Sequence, residues 1–123
     1  MTEPLLILCA DDDEDILSLV ALRLERAGFE VVTAVDGEQA VERARARRPA
    51  LAVLDVMMPK RTGYEVLAEL RGDEALREMK VILLSARVQE GDVAQGMDAG
   101  ADAYLAKPFK AQDLVAKVQE LLR

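Results

Sequence analysis

The sequence predicts one α/β domain: five successive strand–helix units forming a doubly wound parallel sheet with helices on both faces. Three observations predict it. Short β-rich runs alternate with longer segments of helical period along the whole chain. Two of the runs, LLILCA and LAVLD, are continuously apolar, as strands covered on both faces must be. The length, 123 residues without a linker, repeat or low-complexity tract, is that of a single unit spanning residues 1–123.

The strands are expected at Leu5 to Ala10, Glu30 to Ala34, Leu51 to Asp55, Lys80 to Ser85 and Ala103 to Ala106. The first helix is expected over Glu14 to Ala27, with Ile16, Val20, Leu24 and Ala27 on one stripe and Gly28 as its left-handed stop. The second spans Glu38 to Arg47, entered through Asp36-Gly37 and closed before Pro49. The third spans Gly63 to Arg71, capped by Thr62 and followed by Gly72. The fourth spans Val88 to Ala99 and is closed by Gly100. The fifth spans Ala111 to Leu122, with Leu114, Val115, Val118, Leu121 and Leu122 on one apolar face that its own domain must bury. Right-handed crossovers connect these units into a parallel sheet.

Composition narrows the function. Hydrophobic residues make up 51% and charged residues 32%, with two Phe, two Tyr and no Trp, so the core is aliphatic. A net charge of −7 and the lack of a long Lys/Arg run argue against a grip on nucleic acid or an anionic membrane. The chain has no His, which excludes His-ligated zinc, Ser-His triads and a phosphohistidine carrier. Cys9 is alone in an apolar run and reads as a small buried hydrophobe. No apolar run is long enough to span a membrane and the start is no signal peptide, so a reducing cytoplasm is the expected location.

In a sheet of this kind ligands bind beyond the carboxyl ends of the strands, where the strand order reverses. Asp11 and Asp12 follow the first strand, Asp55 and Ser85 end the third and fourth, and Lys107-Pro108 follow the fifth. Three carboxylates, a hydroxyl and an ammonium are thus expected on one edge. Clustered carboxylates repel unless a cation joins them, and hard oxygen donors without His or Cys favour Mg²⁺ or Mn²⁺. Mg²⁺ with one or two carboxylates suits a phosphoryl ligand, and a carboxylate is itself a competent phosphoryl acceptor. Asp13, Glu14 and Asp15 are read differently: acids at the positive end of a helix, with no part in the site.

The segments LILCADDDEDI, PALAVLDVMMP, VILLSAR and GADAYLAKPF, in this order and spacing, resemble the receiver domain of two-component response regulators over essentially the whole chain. The resemblance implies the flavodoxin-like strand order 2-1-3-4-5. It implies that Asp55 accepts a phosphoryl group from a sensor histidine kinase or phosphotransfer protein. It implies that Asp11 and Asp12 hold Mg²⁺, Asp12 more directly, with Asp55 and the backbone carbonyl of Met57 completing the protein ligands. Lys107 would contact the phosphoryl group, its bond to Pro108 being cis. Ser85 and Tyr104 would form the switch pair, the hydroxyl moving toward the phosphoryl group and the ring turning inward. The fourth helix, fifth strand and fifth helix would then carry the signal to a downstream protein or output domain, a phosphorylation-dependent homodimer being one form of output.

The sequence also departs from the family. Ser85 replaces the more common Thr, which keeps the hydroxyl and loses the χ1 restriction of a β-branched residue. Arg61-Thr62 precede Gly63 where Met-Asp is frequent, a change expected to matter little because Thr still caps. Ala103 replaces a second acid that pairs with a base on the last helix, here Lys117, in one known dimer type. Singly, Asp55, Ser85, Lys107, Tyr104, Met57 and Met58 each have ordinary packing or surface readings; their conjunction carries the functional one. Met57 and Arg87 at the site's border predict slow hydrolysis of an acyl phosphate. Two rival readings are a phosphorylation-independent binding module and an Mg²⁺-dependent phosphohydrolase. The hydrolase would need a second acid two residues after its nucleophile, where Met57 stands, so turnover on an outside substrate is not expected.

Overall fold

The structure, a computed structural model, describes residues 3–86 and 90–123, with only the backbone of 90–93. Five strands and five helices alternate: β1 (Leu6–Ala10), α1 (Glu14–Arg26), β2 (Glu30–Ala34), α2 (Gly37–Arg47), β3 (Leu51–Asp55), α3 (Gly63–Gly72), β4 (Lys80–Ser85), α4 (Glu90–Asp98), β5 (Ala103–Ala106) and α5 (Ala111–Leu121). The strands form one parallel sheet in the order β2-β1-β3-β4-β5. This is the flavodoxin-like order that the resemblance implied.

The period-2 alternation of the central strands divides the core into two layers. Ile7, Cys9, Leu51, Val53, Ile82 and Leu84 face α1 and α5, where Leu17, Val20, Leu24, Leu114 and Val118 close the layer. Leu8, Ala10, Ala52, Leu54, Val81 and Leu83 face the other way, against Ala40, Val41 and Ala44 of α2 and Val66, Leu67 and Leu70 of α3. Alanines on both α2 and its facing strands let that helix approach the sheet closely. Each fully buried Leu or Val contributes about 1.5–3 kcal/mol relative to exposure. With no Trp and few other aromatics, the aliphatic layers supply the bulk of this burial.

Caps set the helix starts. Asp13 accepts hydrogen bonds from the amides of Asp15 and Ile16, so the third acid of the opening run is the N-cap of α1. Asp36 caps α2, which therefore begins at Gly37, one residue earlier than expected. Thr62 and Glu65 form a reciprocal capping box on α3. The stripe expected on α1 needs correction. Leu17, Val20 and Leu24 are its buried residues, Ile16 is half-buried, and Ala27 is an exposed C-cap beyond the last turn. Leu17, Val20 and Leu24 follow the i, i+3, i+7 spacing of one face, whereas Ala27 lies where the chain already leaves the helix through Gly28 (φ 99°). On α5, Leu114 and Val118 are buried and Val115, Leu121 and Leu122 partly so, all within the domain's own core as expected. The expected helix start at Val88 lies outside the described residues.

Candidate functional site

Register aligns the carboxyl ends of the strands. Ala10 pairs with Leu54, Asp55 with Leu84 and Ser85 with Ala106, so the residues at or just after these ends meet on one edge. The chain runs from β1 out to β2 and returns to β3 on the other side of β1. The crevice between β1 and β3 is therefore the switch point, flanked by Asp11 and Asp12 on one side and Asp55 on the other.

Each side chain is held from its own segment. The Asp11 amide donates to Ala34 O (3.1 Å), and its Oδ1 accepts from the Asp13 amide (3.0 Å). Its other oxygen, Oδ2, lies 2.7 Å from Lys107 Nζ. Asp55 closes β3, and the Met57 amide donates to its carboxylate. The loop after it turns back sharply: Gly63 N donates to Val56 O (2.9 Å), and a β-carbon at position 63 would lie 2.6 Å from Asp55 O. Glycine is required there by close approach. Val56 and Met58 are buried while Met57 is 67% exposed, which explains an apolar loop beside a charged site. The Lys107 amide donates to Ser85 O (2.8 Å), and the Lys107-Pro108 bond is cis, as the resemblance implied.

Asp11, Asp12 and Asp55 each offer a carboxylate oxygen, all within 4.8 Å of one another. Asp11 and Asp55 are only 2% and 4% exposed, whereas Asp12 is open to solvent. Lys107 Nζ bridges the buried two, 2.7 Å from Asp11 and 3.3 Å from Asp55. Three carboxylates against one ammonium leave two negative charges in excess when all are ionised. Asp55 registers that excess. Burial, and then the neighbouring Asp11 charge, raise its pKa from 3.8 to about 6, against the opposing pull of Lys107 and the Met57 amide. Burial on its own lowers the pKa of Lys107, but its hydrogen bond to Asp11 and the charges of Asp55 and Asp11 outweigh this and push it up. The donor set fits a hard divalent cation: three oxygens, close together, with an uncompensated double charge.

Ser85 is buried, and Tyr104 is half-buried on β5. Both line a cavity of about 190 Å³ with Val56, Met57, Thr62, Tyr64 and Gln95, next to the acidic crevice. The structure thus brings Asp11, Asp12, Asp55, Met57, Ser85, Tyr104 and Lys107 together at the expected edge. Arg87 lies outside the described residues. Lys117, whose acidic counterpart in one dimer type is replaced by Ala103, contacts Glu120 (3.2 Å) on its own helix.

Two features escaped sequence reasoning. One is the bridge from Lys107 to Asp11, whose partners are 96 residues apart and carry no local signal. The other is a network around Arg71. Its guanidinium donates to Gly100 O (2.7 and 3.0 Å), Met79 O (2.6 Å) and Asp102 Oδ2 (3.0 Å), tying the end of α3 to the start of β4 and the turn before β5.

A family model for the response regulator receiver domain matches residues 7–119. The alkaline phosphatase synthesis transcriptional regulatory protein PhoP of Bacillus subtilis is 42% identical over 117 residues, 95% of this chain and 48% of that protein. The DNA-binding dual master transcriptional regulator RpaA of Synechocystis is 44% identical, again over 95% of this chain and 48% of the relative. The chain spans about half the length of these relatives. Among solved structures, the receiver domain of the Francisella response regulator 1452 superposes with a TM-score of 0.90 at 32% identity, covering 95% of each chain.

Proposed function

The chain belongs to the response regulator receiver domain family of two-component signalling, and from that premise we propose that it is a phosphorylation switch with Asp55 as the acceptor. The observation that carries this reading is the bridging of two buried carboxylates, Asp11 and Asp55, by Lys107 beside an exposed third, Asp12.

A carboxylate oxygen of Asp55 forms the new bond to phosphorus as the donor's phosphorus–nitrogen bond breaks. The histidine of the donor kinase or phosphotransfer protein leaves as imidazole. Asp11 and Asp12, with Asp55 and the Met57 carbonyl, would hold Mg²⁺ or Mn²⁺. Bound there, the ion would supply positive charge to offset that of the transferring group. Lys107 Nζ pairs with a phosphoryl oxygen, exchanging a carboxylate partner for a more highly charged one. The Ser85 hydroxyl donates to another oxygen, and the Tyr104 ring moves into the space left inside. The altered surface is that of α4, β5 and α5, which would act on a downstream protein or on an output domain. An apolar groove formed by Ile16, Leu19, Val20, Pro108 and Phe109 borders Lys107, and the donor protein would seat there. No helix of the described residues is long and apolar enough to cross a membrane, and we place this exchange in the cytoplasm.

Chemical trapping tests the acceptor. After incubation with acetyl phosphate and Mg²⁺, borohydride reduction converts an acyl phosphate to an alcohol, so residue 55 should be recovered as homoserine. Recovery of residue 55 only as aspartate, in protein that carries the phosphoryl group, contradicts the assignment.

A further inference from the structure

Gly96 lies inside α4 and is buried. Glycine is a poor choice within a helix, where it exposes backbone and loses entropy on folding relative to Ala. The reason here is a neighbour. A β-carbon at position 96 would lie 2.7 Å from Cδ2 and 3.0 Å from Cε2 of Tyr104, and 3.2 Å from Cδ1 of Leu83. The edge of the Tyr104 ring therefore rests directly on the backbone of α4, in a space that no other amino acid leaves open. Tyr104 also lines the 190 Å³ cavity it shares with Ser85, Tyr64 and Met57.

We propose that Gly96 is the seat of the Tyr104 ring and a positioning residue of the switch: it holds the ring against α4 in the resting protein and makes ring and helix move together. The proposal rests on the switch reading above, with Ser85 and Tyr104 as its pair. The contact is steric, so it has a definite sense. Any side chain at position 96 evicts the ring, and the cavity beside Ser85 gives it a place to go. A ring that leaves the seat uncovers the α4 backbone at Gly96 and changes the packing of that helix on β5. Strain at Leu83 is smaller, because a displacement of a few tenths of an ångström relieves a 3.2 Å contact at the end of a flexible side chain.

A double-mutant cycle isolates the contact from helix propensity. In the Tyr104→Ala protein, Gly96→Ala should act as an ordinary helical substitution and raise Tm by about 4 °C. In the wild-type background the same change should leave Tm unchanged or lower it. The sequence has two tyrosines, so fluorotyrosine labelling gives two fluorine resonances, assigned by Tyr64→Phe. Gly96→Ala should shift the Tyr104 resonance of the unphosphorylated protein toward the position reached by wild type with acetyl phosphate and Mg²⁺. Equal stabilisation in both backgrounds with an unmoved Tyr104 resonance overturns the proposal. A wild-type resonance that ignores phosphorylation would remove the switch reading, and the stability cycle alone would then decide whether Gly96 seats the ring.

Discussion

Lys107 Nζ stands 2.7 Å from Asp11 Oδ2, joining the loop after the last strand to the residue after the first. The same ammonium reaches Asp55 at 3.3 Å. It is the one cation contacting either buried acid among the described residues. The site is thus in electrostatic tension, with a single lysine offsetting acids that would otherwise repel one another.

Removing that lysine should expose the tension. Lys107→Ala leaves two buried carboxylates without a cationic partner and should destabilise the fold by about 2–4 kcal/mol in chelator. Saturating Mg²⁺ should restore a large part of this loss, because it binds the folded state alone. Urea unfolding of wild type and variant, with and without Mg²⁺, gives both numbers.

The raised pKa of Asp55 sets a pH dependence. Between pH 3.8, its ordinary value, and about 6, the folded protein binds more protons at this group than the unfolded chain. The stability contributed by Asp55 is therefore largest at low pH and falls as pH rises through this window. Asp55→Asn lacks the effect. Without metal, the variant should be more stable than wild type at pH 7, by on the order of 1–2 kcal/mol, with the advantage shrinking toward pH 4. Denaturation of both proteins in chelator across this range measures the difference, and a constant difference would contradict the assignment.

The Arg71 network lies at the opposite end of the sheet, at the starts of β4 and β5. Arg71→Ala strips the partners from Gly100 O and Met79 O and leaves Asp102 without its closest cation. A loss of about 2 kcal/mol is expected. Arg71→Lys should recover less than half of it, because an ammonium cannot reproduce the fork. Phosphorylation by acetyl phosphate should proceed at the wild-type rate in both variants, which separates this structural role from the site.

Met57, 67% exposed beside the acceptor, places an apolar side chain at the mouth of the crevice. On the proposed reading this side chain would shield an acyl phosphate of Asp55 from water. Met57→Ala should shorten the phosphoryl lifetime several-fold, with wild type lasting well beyond seconds when no phosphatase is present. Loss of phosphoprotein by mass over time measures it.

Much of this was legible in the residues. Four strands have the expected bounds because Gly, Pro and Asp punctuate apolar runs, and β1 differs by one residue, starting at Leu6. Among the five consecutive acids, Asp13 caps α1, as its place at the head of an amphipathic run suggests, while Asp11 and Asp12 directly follow a buried strand and cluster with Asp55. The face of α1 was misjudged at Ala27, since alanine fits an apolar stripe and an exposed cap equally well. The long-range contacts were not legible. Lys107 with Asp11, Arg71 with Gly100 and Gly96 with Tyr104 join separate elements, and no local periodicity encodes which atoms meet. Gly96 did give a faint sign, as a glycine in a helix interior without a turn to make.

The most direct test of the central claim is intact mass after incubation with acetyl phosphate, for wild type and Asp55→Asn, in Mg²⁺ and in chelator. The account predicts a single phosphoryl increment on wild type in Mg²⁺, absent from Asp55→Asn and absent in chelator. An increment that survives in Asp55→Asn, or folded wild type that takes none in Mg²⁺, would contradict it.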